Sequence, residues 1–172
     1  MNVIQNPSYY KNTSMERTLI IHKSILGMIE ELQLNFYEDK TYERLVDFGH
    51  TFSNSLEPAS QWEIPHGYAV AIDIALSSYI SMSLGHICES TLERILNLFK
   101  NIGIPIYDDR LTDEVCFDSL EKAALHRGGD INLVVPTDIG EATFVKNDSE
   151  SLREIVSEGI KYLKEYQATL IK

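Results

Sequence analysis

The chain has only two cysteines, Cys88 and Cys116, among 172 residues. That is too few for a disulfide-built scaffold, so both read as reduced thiols of a cytosolic protein. Long apolar runs are missing too. The longest, Ala69 to Ile72, falls far short of the ~20 residues that a membrane-spanning helix needs. Positive charge is scarce: 15 Lys and Arg stand against 26 Asp and Glu, a formal net charge of −11. Such an acid excess repels phosphate polymers, which excludes nucleic acid and anionic membrane as main partners. No basic-then-apolar leader opens the sequence. Met1 to Tyr10 is polar and aromatic, so no signal peptide is expected and the expected location is the cytoplasm. Internal repeats, low-complexity tracts and a Gly-x-Gly-x-x-Gly turn are all absent from the sequence.

What is present suits a globular protein. A hydrophobic share of 44% with 24% charged residues is ordinary, and the length allows one domain, or two small ones, with a substantial core. Residues 1–13, with Pro7 and several Asn, read as an irregular lead-in. From Ser14 the pattern turns helical, with Ile21, Ile25, Met28, Ile29 and Leu32 on one face. A second helix is expected from Thr41 to Leu56, stopped by Pro58. A third starts near Pro65, a residue suited to a first helical position, and runs to about Leu84. It is apolar all round over Ala69–Leu76 except at Asp73, so it reads as the central buried helix. Leu92, Ile95, Leu96, Phe99 and Ile102 mark a fourth, ended by Gly103 and Pro105. Thr112 suits the N-cap of a fifth, through about Leu125. The period then changes to two at Ile131, Leu133 and Val135 and again at Ala142 and Phe144, with a turn over 136–140: one β-hairpin. A last helix carries Leu152, Ile155, Val156, Ile160 and Leu163. The expected fold is mainly α, about six helices with one small β-hairpin.

The second helix holds the candidate chemistry. Glu43, Asp47, His50 and Asn54 are spaced by four, three and four residues, which on a continuous helix makes one polar stripe opposite Leu45, Phe48, Phe52 and Leu56. Gly49, beside His50, weakens a helix and lets another backbone or a ligand come close. His66 follows in Pro65-His66-Gly67, 16 residues after His50. Two antiparallel helices over that distance can present both imidazoles to one point. Neutral imidazole suits Zn, Co or Ni, and a catalytic metal takes three protein ligands with one position open. An acidic helix face also reads simply as solvated. His22, His86 and His126 have no such context and read as surface or capping residues. Asp73, a carboxylate inside an apolar helix, needs hydrogen bonds or a cation. It suits a cap on a neighbouring helix end or an anchor for a site residue.

The string Asp47-Phe48-Gly49-His50-Thr51-Phe52-Ser53, with Glu57 and then His66-Gly67-Tyr68-Ala69-Val70-Ala71-Ile72-Asp73, resembles the sugar phosphate cyclase superfamily, whose best-known member is 3-dehydroquinate synthase. Within it the chain looks more like the sedoheptulose 7-phosphate cyclases of the 2-epi-5-epi-valiolone synthase type. Glu30-Glu31-Leu32-Gln33-Leu34-Asn35-Phe36-Tyr37-Glu38 is similar to a segment before the metal motif of those enzymes. Asp47 stands where dehydroquinate synthase has Asn. His126-Arg127-Gly128-Gly129, then Asn132-Leu133-Val134-Val135-Pro136-Thr137, is like the valiolone-type ending. The resemblance runs from about Ser24 to Val145. At Asn54 the family has His or Pro, and at Tyr68 it has Glu. These departures leave the substrate open, a 3-dehydroquinate synthase fragment included.

The resemblance implies the multihelical C-terminal domain of the dehydroquinate synthase-like fold, a helical metal- and substrate-binding domain over 14–172. The N-terminal NAD-binding domain of the family, with its Glu ligand, is expected to be absent. It implies His50 and His66 as ligands of a Zn or Co cation. Asp47 and Asn54, one turn either side of His50, are expected to act on substrate hydroxyls, as catalytic and substrate-binding residues. Arg127 suits phosphate oxygens through its guanidinium fork and suits equally a helix C-terminus. The implied reaction is a lyase-type one: NAD-dependent conversion of a seven-carbon ketose phosphate to a carbocycle with loss of phosphate, the metal acting as a Lewis acid. The expected partners are a small-molecule sugar phosphate and a separate N-terminal NAD-binding subunit, with a homodimer left open. The chain alone is expected to be inactive. The competing expectation is a non-catalytic helical remnant that binds a partner protein through an exposed apolar face.

Overall fold

The computed structural model describes residues 14–33, 44–126, 131–146 and 149–170. The chain divides into two compact units, Met1–Val46 and Asp47–Lys172. In the first, helix α1 spans Ser14–Leu32. It carries the expected apolar stripe, but that stripe is exposed: Ile21 is 59% accessible, and Ile25, Met28 and Ile29 are all more than half so.

In the second unit, α2 (Ser53–Ala59), α3 (His66–Ser83), α4 (Glu89–Ile102), α5 (Asp113–His126), the strands β1 (Leu133–Asp138) and β2 (Glu141–Val145), and α6 (Ser149–Leu170) follow in order. The mainly α architecture with a single hairpin is as expected. Helix α3 is the hub. Its Ala69, Ile72, Ala75, Leu76 and Ile80 are buried, and α2, α4, α6 and β1 all pack on it. Burial on every side is why its sequence is apolar all round rather than striped. Helix α6 comes close to α3 at Gly159, where a Cβ would lie 2.7 Å from the Leu76 Cδ1 and 2.8 Å from the Tyr79 ring. The hairpin pairs Leu133 with Val145 and Asp138 with Glu141 around a two-residue turn, with an irregularity at Thr137. Its Leu133 and Val135 join the core cluster, Val134 is buried on the opposite face of the strand, and the Ser81 hydroxyl donates to the Pro136 carbonyl. No described helix is both long and apolar enough to cross a membrane.

The expected helix from Thr41 to Leu56 is corrected. Residues 41–43 lie outside the described residues. Leu45–Asp47 is one 3-10 turn, and α2 begins only at Ser53 and runs through Pro58 to Ala59. The break is at Gly49, whose φ of +84° is left-handed and ends any right-handed helix. Its missing Cβ is required as well: one placed there would meet the Ile74 Cγ1 at 2.8 Å and the Val70 Cγ1 at 2.9 Å.

Both cysteines are free thiols, in opposite settings. Cys116 is buried in the core, and burial, with Asp73 nearby, pushes its thiol well above the ordinary range. Cys88 precedes α4 with its sulfur 3.1 Å from the Ser90 hydroxyl and 3.4 Å from that of Thr91. These two hydroxyls stabilise the thiolate and lower its pKa to about 7. Iodoacetamide is therefore expected to alkylate Cys88 at a rate rising through about pH 7, and to spare Cys116 until the domain unfolds. Intact-mass spectrometry against pH reads both. A midpoint near the ordinary thiol value, or early labelling of Cys116, would contradict this.

Candidate functional site

The site is built where the loop before α2 meets the start of α3. The Asp47 carbonyl, closing the 3-10 turn, accepts from the His50 amide at 2.9 Å. Gly49 then turns the chain. The Ser53 hydroxyl donates back to the Gly49 carbonyl at 2.7 Å, and the Asn54 side-chain amide donates to the His50 carbonyl at 2.7 Å. Asp47, His50 and Asn54 are thus gathered by ties to the backbone, not by one helix face as their spacing predicts. Arg127 lies outside the described residues.

Helix α2 begins without a cap from its own Phe52. The cap comes from α3. Asp73, fully buried, accepts the Phe52 amide at 2.6 Å and the Ser53 amide at 2.9 Å on Oδ2, and the Ser77 hydroxyl at 3.0 Å on Oδ1. This satisfies orphan amides of a helix N-terminus and places a carboxylate where the helix dipole favours it. Burial pushes the carboxyl above its ordinary range, against the pull of the Ser53, Ser77, Phe52 and Thr51 hydrogen bonds. Of the two roles the sequence suggested for Asp73, helix capping is the one observed.

Between α2 and α3 the chain reverses through Gln61 and Trp62, both left-handed at φ 55° and 63°. The Trp62 amide bonds to the Glu57 carbonyl at 3.0 Å, and the Ser60 hydroxyl to the same carbonyl at 2.7 Å. This reversal returns His66, the first residue of α3, to Glu57 of α2. The His66 Nδ1 lies 2.8 Å from the Glu57 Oε1; that carboxylate is largely covered at 13% accessibility, while His66 is open at 62%. The His50 Nδ1 lies 3.3 Å from the Phe48 carbonyl. Carbonyls and carboxylates accept, so Nδ1 is the donor in each ring, which leaves Nε2 as the nitrogen turned to any further partner.

The two rings come together. Their centroids are 5.6 Å apart and the planes are tilted by 54°. His50 reaches this point from a loop, not from the helix expected of it. Glu57 was part of the motif but had no role on sequence grounds. The available signal was a carboxylate on α2 nine residues before His66, and only the left-handed reversal reveals that the two meet. Among the described residues, no group of three or more His, Cys, Asp or Glu is arranged to hold a metal ion.

A 2-epi-5-epi-valiolone synthase of Streptomyces glaucescens is 39% identical over 140 residues, which are 81% of this chain and 36% of that protein. The solved 2-epi-5-epi-valiolone synthase of Streptomyces hygroscopicus subsp. jinggangensis 5008, with NAD+ and Zn2+ bound, superposes with a TM-score of 0.83 at 32% identity. It covers 90% of this chain, which matches 42% of that one. A 2-deoxy-scyllo-inosose synthase complexed with carbaglucose-6-phosphate, NAD+ and Co2+ shares the fold at a TM-score of 0.56 and 18% identity, over 66% of this chain and 33% of its own. The chain thus spans well under half the length of the relatives it matches. The family described as 3-dehydroquinate synthase C-terminal matches residues 4–126, His50, His66 and helix α2 between them included, and the chain belongs to that family.

Proposed function

We propose that this chain is the metal- and substrate-binding half of a sugar phosphate cyclase acting on a seven-carbon ketose phosphate such as sedoheptulose 7-phosphate. The observation that carries this reading is the pair His50 and His66, 5.6 Å apart, with each Nδ1 facing an acceptor. Two imidazoles on one tetrahedral ion, each nitrogen about 2.0–2.1 Å from the metal, bring their centroids to about 5 Å. The ring separation supports assigning His50 and His66 to two positions of a Zn or Co site, with a third ligand from the NAD-binding half of a complete enzyme. When bound, the cation supplies Lewis-acid polarisation of a substrate hydroxyl and NAD supplies the redox chemistry.

The chain's own residues do the holding and orienting. Glu57 and the Phe48 carbonyl fix the tautomer and aim of the two rings, as outer partners of metal-bound histidines do. Asn54 spends its NH2 group on the His50 carbonyl, which leaves Oδ1 to accept from a substrate hydroxyl. Asp47, as a carboxylate, takes neutral hydroxyl donors and repels a substrate carboxylate. This favours a sugar phosphate that carries no carboxylate over a heptulosonate. Arg127 is assigned to the phosphate oxygens.

Titration calorimetry with Zn2+ or Co2+ tests the reading. Binding by this chain is expected to be weak and to vanish in His50→Ala and in His66→Ala. Glu57→Gln is expected to weaken it about 10- to 100-fold. Unchanged binding in the two histidine variants would remove the basis of the proposal. With NAD, Zn2+ and sedoheptulose 7-phosphate, the chain alone is expected to give no carbocycle, and an added NAD-binding half is expected to restore turnover. The exposed stripe of α1 favours a second reading, a non-catalytic remnant that binds a partner. That reading predicts no specific metal binding and no turnover with any added half.

A further inference from the structure

We propose that Asp73 is a positioning residue that aligns both imidazoles at once, by clamping the start of α2 to the middle of α3. The proposal rests on the metal-site reading above. Asp73 makes no contact with either ring; it acts through the backbone.

The ties form a closed circuit. From α3, the Asp73 Oδ2 holds the amides of Phe52 and Ser53. Ser53 holds the Gly49 carbonyl and Asn54 holds the His50 carbonyl, so the His50 peptide is pinned on either side to the same clamped turn. One helical turn further along α2, Glu57 holds His66, which lies on α3 two turns before Asp73. Helices α2 and α3 are thus joined at two points, Asp73 to the α2 N-terminus and Glu57 to His66. A single tie lets α2 pivot, whereas two set its position along α3. The Ser77 hydroxyl, 3.0 Å from Oδ1, fixes the carboxylate itself. A carboxylate without solvent contact in the centre of the core is a costly way to cap a seven-residue helix, which a Ser, Thr, Asp or Asn at the cap position of α2 itself would do more simply. Registration of the two rings accounts for that cost.

The test uses the full chain with 15N-labelled histidine, without metal and then with Co2+. In the parent protein, long-range 1H–15N spectra are expected to show His50 and His66 as sharp signals of the Nδ1–H tautomer. Asp73→Ala removes both accepting oxygens and leaves the Phe52 and Ser53 amides without their partner. Both histidine signals are expected to broaden or shift toward a tautomer mixture, and Co2+ affinity to fall by about tenfold or more. Leu163→Ala, a core variant on α6 outside the circuit, is the control for lost stability. It is expected to leave both signals in place and Co2+ affinity within about twofold of the parent. If Asp73→Ala fails to fold, Ser77→Ala carries the test and is expected to move both signals in the same direction by less. Parent-like signals in the folded Asp73→Ala or in Ser77→Ala overturn the proposal, as does an equal disturbance in Leu163→Ala. If instead His50→Ala and His66→Ala bind Co2+ like the parent, the metal-site reading fails, while the metal-free histidine spectra still judge the clamp.

Discussion

Gly49→Ala is expected to destabilise the second unit by about 2–5 kcal/mol, because a left-handed φ costs an L-residue about 1–2 kcal/mol and overpacking adds about 1–3. Both terms apply at this one position. The φ is +84°, and the new Cβ would fall 2.8 Å from Ile74, 2.9 Å from Val70 and 3.1 Å from the Val70 carbonyl oxygen. The two side chains are β-branched and stiff in a helix, and the carbonyl belongs to helix α3 and yields only if the helix shifts. Against a typical domain stability of about 5–15 kcal/mol, a loss of this size is a large share. Denaturant unfolding measures it. Gly67→Ala serves as the control, since no atom lies within 4 Å of a Cβ there and its backbone is helical; its effect should have the opposite sign, a gain of about 0.4–1 kcal/mol. A Gly49→Ala loss below about 1 kcal/mol would mean that the turn is not wedged against α3 and that another feature ends the helix.

The second large effect is expected two residues beyond His50. Phe52 is fully buried, and truncating such a ring to alanine costs about 3–5 kcal/mol. Its backbone amide is also a ligand of Asp73. Collapse around the cavity should therefore drag the clamped turn, and metal binding should fall in molecules that remain folded. Phe52→Leu, which keeps most of the volume, is expected to lose much less and to retain binding. Unfolding midpoints at constant denaturant slope give the stability change. A Phe52→Ala cost no greater than that of Phe52→Leu would show that the ring is not what anchors the loop.

These two neighbours of His50 show why the site was only half legible in the sequence. Helices α4 to α6 and the hairpin declare themselves through periodicity, and α3 through its all-round apolar run, because local pattern and tertiary role agree there. Around His50 they disagree. The spacing of Asp47, His50 and Asn54 satisfies a helix, yet the packing of Gly49 against Val70 and Ile74 forbids one. The convergence of His50 and His66 was anticipated, but on the wrong local structure. The Glu57–His66 bond is not legible in the sequence, because it depends on two left-handed residues, Gln61 and Trp62, that carry no glycine to announce them. The stripe of α1 was legible as helical, but a pattern of apolar residues does not say whether a surface covers it.

The sequence by itself determined the class of the fold, the burial of α3 and the residue types that could hold a cation, because these follow from short-range periodicity, composition and side-chain chemistry. Only the tertiary structure decided that His50 sits on a loop, that Asp73 caps a helix 20 residues earlier in the chain, and that Glu57 faces His66. Each of these depends on contacts between segments far apart in sequence, whose geometry is set by packing against the shared core and not by any local preference of the residues involved.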